Sequence, residues 1–351
     1  ADLKPGARVR VSGKDAGPGK PISAARVEFV DGAAPAPGGL GPWEALVAGE
    51  PGAPRPIEVL DLKSGQTRPV PGDPGEGEQP RIAPDRVSYY FWRDLKDAPK
   101  LLAARLGSAP KVLRPWPNGT EAAGSCWSAD GKVIYAAQAQ KAFDLAGFAL
   151  IAVPVSGAYP QTVRLENDPF GGVSTIVHEV VALPTAPDLL ATNHTWHEMI
   201  AIRPPNGTGK RVTTFADWDQ AQLGVAKGVV QPEPFNPRLE RATGKLFFSL
   251  SYLVSQLGSE TSDPAKAVRR RLGIYTMAPD GSGIARVPIE SKEMPDGSVR
   301  QPYLVDLSPD GKTLLMTYWK TAGLYTVPAT GGTPTPVPGK GATLSEASWS
   351  G

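Results

Sequence analysis

The chain predicts an all-β fold: a single β-propeller over residues 1–351, built from six to seven four-stranded blades with seven the preferred count. Three observations lead there. A hairpin phrase returns along the chain, a second strand pattern returns after it, and the two chain ends read as parts of one unit.

The hairpin phrase is clearest in Asp306-Leu307-Ser308-Pro309-Asp310-Gly311-Lys312-Thr313-Leu314-Leu315 and in Cys126-Trp127-Ser128-Ala129-Asp130-Gly131-Lys132-Val133-Ile134-Tyr135. Each copy gives an apolar strand, an Asp-Gly turn whose glycine supplies the positive φ, and a second apolar strand. Looser copies place such turns, joining strands a and b of successive blades, near residues 31, 85, 130, 188, 243 and 310. A period of roughly forty to fifty residues, stretched by insertions, belongs to a propeller.

The second half of each unit is an alternating strand, a glycine turn and a short outer strand. It is seen from Ile57 to Thr67, from Ile274 to Gly283 and from Leu324 to Gly332, and the runs starting at Leu150 and Met199 fit the same slot. At the ends, Trp349-Ser350-Gly351 matches Trp127-Ser128-Ala129. A propeller needs its first and last blades paired, because open edges invite association. Residues 344–349 and 8–11 are therefore expected to share the closing blade.

The phrase Ser308-Pro309-Asp310-Gly311-Lys312, preceded by Ile274-Tyr275-Thr276-Met277-Ala278-Pro279-Asp280-Gly281-Ser282-Gly283, resembles the repeats of the TolB-like (PD40) propeller superfamily. The resemblance covers most of the chain and is most specific around residues 130, 280 and 310. It implies fold more than function, since the superfamily includes peptidase side domains, pectin-fragment lyases, periplasmic scaffolds and cytochrome-associated subunits. It also implies a bacterial periplasmic or extracellular location. The start at Ala1-Asp2-Leu3-Lys4 fits a processed exported protein and a trimmed one equally.

Composition bounds the rest. Gly 39 and Pro 38 punctuate strands at regular intervals, and a formal charge of +2 with interspersed signs argues against nucleic acid. Arg269-Arg270-Arg271 reads as the solvated end of an insertion. No apolar run of about eighteen residues predicts a membrane span. One cysteine, Cys126, permits no intrachain disulfide and no CxxCH haem attachment, and beside Trp127 it reads as a small buried hydrophobe.

All three histidines, His178, His194 and His197, fall in one blade, with Glu179 and Glu198 beside them in sequence. A hairpin centred near residue 186 would set His178 across from His194. Such a rim is the candidate site for a divalent metal, Zn, Mn, Cu or Ni. The competing reading is that each histidine caps a strand end, bonded to a carbonyl or to Glu. His178-Glu179 is not followed by the second histidine of HExxH, and GxSxG, P-loop and GxGxxG motifs are absent.

The leading expectation is a non-enzymatic exported scaffold, an accessory subunit that meets a protein partner through its insertions at 216–228, 255–271 and 291–300. The apolar run 246–254 exceeds what one blade needs to bury, so its end is expected under the insertion or at an interface. One alternative is a metal-dependent lyase or hydrolase on a polar saccharide at the histidine rim. The other is an accessory subunit of a cytochrome-type redox complex.

Overall fold

The computed structural model of the chain describes residues 9–14, 23–29, 38–48, 54–94, 98–116, 120–140, 149–158, 160–163, 177–183, 189–193, 198–203, 208–213, 230–254, 268–319, 321–344 and 347–349. They form antiparallel sheets. Strands β1 (Val9–Lys14) and β2 (Ser23–Phe29) make a hairpin. Strands β3 (Glu44–Val47), β5 (Glu58–Asp61) and β6 (Thr67–Pro69) make a three-stranded sheet, and β4 (Arg55–Pro56) lies against β7.

Five complete four-stranded sheets follow, each in simple meander order. The first is β7 (Glu76–Ile82), β8 (Ser88–Arg93), β9 (Lys100–Arg105) and β10 (Lys111–Pro115). The second is β11 (Thr120–Trp127), β12 (Val133–Gln140), β13 (Ala149–Pro154) and β14 (Gln161–Val163). The third is β15 (Val177–Ala182), β16 (Leu189–Asn193), β17 (Glu198–Arg203) and β18 (Thr208–Thr213). The fourth is β19 (Val230–Leu239), β20 (Leu246–Val254), β21 (Val268–Met277) and β22 (Ala285–Arg286). After a small hairpin, β23 (Lys292–Glu293) and β24 (Val299–Arg300), the fifth is β25 (Pro302–Leu307), β26 (Thr313–Tyr318), β27 (Tyr325–Pro328) and β28 (Thr335–Pro336).

This is a β-propeller, with five complete blades among the described residues where six to seven were expected. The turns anticipated near 85, 130, 188, 243 and 310 each separate the first two strands of a blade. The one near 31 lies outside the described residues. Residues 25–30 were read as an inner strand leading into it, but β2 takes its partner from upstream, in β1.

Burial falls from the inside of a blade to the outside. Strands β25 and β26 are almost wholly buried, whereas β10, β22 and β28 are mostly exposed. Middle strands pack on both faces, because each blade is sandwiched between two others. On β20, Leu246, Phe248 and Leu250 pack with Leu183, Tyr275 and Met277 on one side. Phe247 packs with Leu304, Leu314 and Met316 on the other. That double burial accounts for the apolar character of 246–250; the end of the 246–254 run, expected under the insertion or at an interface, lies outside the residues whose side chains are described. Continuity of β20 with β21 also corrects the Arg269–Arg271 reading: the three arginines belong to a strand, facing Leu253, Tyr252 and Ser251 in register. Arg271 stacks 3.6 Å over the Trp319 ring.

Every inner strand carries an irregularity. In β7, β11, β15, β19 and β25 the register to the next strand slips between Glu78 and Arg81, Ala122 and Ser125, Val177 and Glu179, Phe235 and Arg238, and Leu304 and Asp306. A bulge bends its strand and raises the local twist, which re-aims the side chains that follow it.

Among the described residues the two ends of the chain pair with different strands. Ser348 pairs with Leu46 on β3, each donating its N–H to the other's carbonyl at 2.8 Å, while β1 pairs with β2. The sequence match of Trp349 to Trp127 places the C-terminal residues as an inner strand. The strand that receives them is a short apolar one, Glu44–Val47, without a turn phrase of its own.

Candidate functional site

The five inner strands converge on one small cavity of about 80 Å³, lined by Arg81, Cys126, Val181, Arg238, Arg241 and Asp306 among others. These residues come from five blades, and each inner strand delivers its residue near the end that enters the Asp-Gly-type turn.

Asp306 is the central acceptor. Its side chain is only 3 % exposed, and Oδ1 lies 3.2 Å from Arg238 Nε. The same oxygen accepts the Leu307 amide at 2.9 Å, and Oδ2 accepts the Trp349 amide at 2.7 Å. A buried carboxylate is tolerable only when paired and hydrogen-bonded in this way. The wild-type chain thus ties its last described residue to its fifth complete blade.

Three further bonds pull the C-terminus onto the first two sheets. Ser348 Oγ accepts the Ile82 amide at 3.0 Å, and the Trp349 indole donates to the Pro42 carbonyl at 2.8 Å. The Arg86 guanidinium donates to the carbonyls of Trp349 at 2.5 Å, Gly41 at 2.6 Å, and Leu40 and Glu44 at 3.2 Å. Burial lowers the Arg86 pKa to about 10, with Asp306 and Glu44 opposing the shift, so the group stays cationic at neutral pH. Around these bonds Ala45, Val47 and Leu60 pack with Val305, Leu315, Leu324 and Trp349 in one apolar cluster.

Cys126 lines the cavity half-buried, and burial pushes its thiol up to about 12. It is therefore protonated at neutral pH and a poor nucleophile, in agreement with its reading as a small hydrophobe. Beside it the Tyr90 hydroxyl donates to Ser125 Oγ at 2.9 Å and the Trp127 indole to the Arg81 carbonyl at 3.0 Å. These bonds cross between the first two complete blades.

Of the expected histidine rim, only the backbone of His178 falls among the described residues. His178 sits on β15 at the register slip, between the pairs Val177 with Asn193 and Glu179 with Thr192. It is the extra residue of the bulge, so no β16 residue stands directly opposite it. The hairpin is also centred half a residue earlier than assumed, which alone would break the 178-to-194 match. His194 and His197 lie outside the described residues, and no cluster of three metal-ligating side chains occurs among the described ones.

The axial residues carried a sequence signal that the turn search passed over. Gln79-Pro80-Arg81-Ile82 and Asn236-Pro237-Arg238-Leu239 are two copies of an amide, Pro, Arg, aliphatic phrase. In both, the amide residue takes a left-handed backbone, φ 47° at Gln79 and 48° at Asn236.

No family model and no curated protein matches the chain. Solved structures do. TolB from Acinetobacter baumannii is similar over 89 % of this chain and 68 % of its own, at TM-score 0.57 and 16 % identity. A chain of the nidogen/laminin complex is similar over 87 % and 97 %, at TM-score 0.52 and 13 % identity. Hydrazine synthase of Kuenenia stuttgartiensis is similar over 83 % and 75 %, at TM-score 0.50 and 12 % identity. The chain therefore has the fold of TolB-type propellers.

Proposed function

We propose that this chain is a non-enzymatic β-propeller scaffold that binds a protein partner within a bacterial envelope or extracellular assembly. The observation that carries the reading is the axial cavity. At about 80 Å³ it is well below the roughly 300–1,000 Å³ typical of small-molecule sites, and its walls are bonded to one another. A body whose central cavity is this small leaves recognition of a protein partner to its outer surfaces.

The ring in this reading has six units and closes on itself. The three-stranded sheet β3, β5 and β6 is the sixth blade, and residues 347–349 supply its inner strand. Leu46 paired with Ser348, the Asp306 bond to Trp349 and the shared apolar cluster support it. A candidate partner surface is the β23–β24 hairpin, formed by the insertion at 291–300. Its Val299 is 57 % exposed, and Lys292 props the hairpin on the Tyr325 hydroxyl at 2.8 Å. The nidogen/laminin structure shows a propeller of this fold within a protein complex, which supports the same use here.

Fractionation of the producing cell followed by native sizing of the untagged protein tests the proposal. The expected result is an envelope or secreted fraction containing the chain at a size well above one copy. A cytoplasmic, single-chain species would reject it. One equivalent of bound divalent metal in the same sample would instead favour the metal-dependent reading of His178, His194 and His197.

A further inference from the structure

The axial cavity carries an inference independent of the scaffold reading. Arg81 and Arg238 line it from two separate blades, and each follows the same device: a register slip, a left-handed amide residue and a proline. A non-glycine residue in that conformation is strained. Two strained copies that deliver a cation to one cavity mark a built feature, because unstrained strands would have packed apolar side chains there.

Among the described residues that line the cavity, cations outnumber carboxylates. Arg81, Arg238 and Arg241 line it together with one carboxylate, Asp306. That carboxylate is already engaged by Arg238 and by the Trp349 and Leu307 amides. Arg81 donates Nη1 to the Pro80 carbonyl at 3.3 Å, a neutral partner. Arg81 and Arg238 are half-buried and Arg241 is exposed, so their guanidinium groups can be reached from solvent, and a guanidinium fork fits an oxyanion in bidentate fashion. The volume of about 80 Å³ suits a few waters or one tetrahedral oxyanion.

We propose that the axial cavity is a binding site for a small oxyanion of the phosphate or sulfate class, held by Arg81 and Arg241 with Arg238 bridging to Asp306. The ion completes the charge balance at the hub and so reports on the ring from its centre.

Titration of the full chain with inorganic phosphate by calorimetry, at ionic strength fixed with sodium chloride, tests the site. The expected result is saturable binding of one phosphate per chain. Arg81→Gln should weaken it at least about tenfold, or about 1.4 kcal/mol. Arg241→Gln should also weaken it, and both variants should keep the wild-type circular dichroism spectrum. If Arg81→Gln fails to fold, Arg241→Gln decides alone. Absence of saturable binding by the wild type, binding equally strong in the folded variants, or equal stabilisation by chloride and phosphate would each overturn the proposal.

Discussion

The turn at Pro84-Asp85-Arg86 and the turn at Pro309-Asp310-Gly311 have the same backbone plan and different duties. In each, the third of these residues returns its N–H to the residue before the proline, Arg86 to Ala83 at 2.9 Å and Gly311 to Ser308 at 2.8 Å. In each, the aspartate accepts amides from the next strand, Val87 at 2.8 Å in one and Lys312 at 3.1 Å in the other. Both third residues are left-handed, at φ 56° and 70°. Glycine adopts that conformation freely, while arginine pays for it. What the arginine gains is reach, since its side chain gathers four carbonyls from the β3 region and the C-terminus. The difference teaches that one position of a repeated turn can be diverted from making a hairpin to holding distant segments together.

The largest expected effect breaks that contrast at its source. Arg86→Ala strands buried carbonyls and should lower stability by about 3 kcal/mol or more, read as a shift in urea midpoint. Arg86→Gly relieves the left-handed strain and should recover about 1 kcal/mol of that loss. If Arg86→Gly is as stable as wild type, the carbonyl contacts contribute no more than the roughly 1 kcal/mol that the relieved strain returns, far less than expected.

A comparable loss is expected from the other closing residue. Asp306→Ala leaves Arg238 buried without its partner and should cost about 3–5 kcal/mol. Adding Arg238→Gln to Asp306→Ala should restore part of it, a coupling a double-mutant cycle would measure. Strict additivity of the two changes would show that the Arg238 contact with Asp306 carries no weight in closure.

A smaller effect separates the glycines themselves. Gly131→Ala meets only Pro84 Cδ at 3.7 Å, so it should cost about 1 kcal/mol from its φ of 70° alone. A Cβ at Gly311 collides with Glu240 Cγ, and Gly311→Ala should cost more than Gly131→Ala in parallel thermal melts. Equal melting shifts would mean that Glu240 moves aside freely.

The smallest effect is on pH dependence. Burial raises the Asp310 pKa, but the Ser308 hydroxyl, the Lys312 amide and the Lys312 charge outweigh it and hold it below the usual carboxylate range. Asp130 is held low in the same way, with Ser128 and Lys132 outweighing burial. A depressed folded-state pKa contributes stability that is present above the unfolded value, about 3.9, and is lost as pH falls through the folded value. Replacing Ser308 or Ser128 with Ala should therefore flatten the acid limb of a stability profile below about pH 4. An unchanged limb would place the acid sensitivity elsewhere.

The turns were legible because their chemistry is contained within a few residues. Ser128 and Asp130, or Ser308 and Asp310, need only each other and the next strand's amides to fold, so the phrase predicts the hairpin wherever it occurs. The alternating second half of each unit was equally local, and together they fixed the all-β propeller. The register around His178 was not legible at this level, because one inserted residue shifts it and no residue type announces a bulge there.

The contacts of residues 347–349 and the make-up of the cavity were decided only by the tertiary structure. Ser348 Oγ meets the Ile82 amide across 266 residues of sequence, and nothing in the short strand at 44–47 names its partner. The arginine phrase at Arg81 and Arg238 was present in the chain, but only the ring brings both to the same cavity as Asp306. Local turn chemistry is written in adjacent residues, whereas which strands meet around an axis depends on how every blade between them packs.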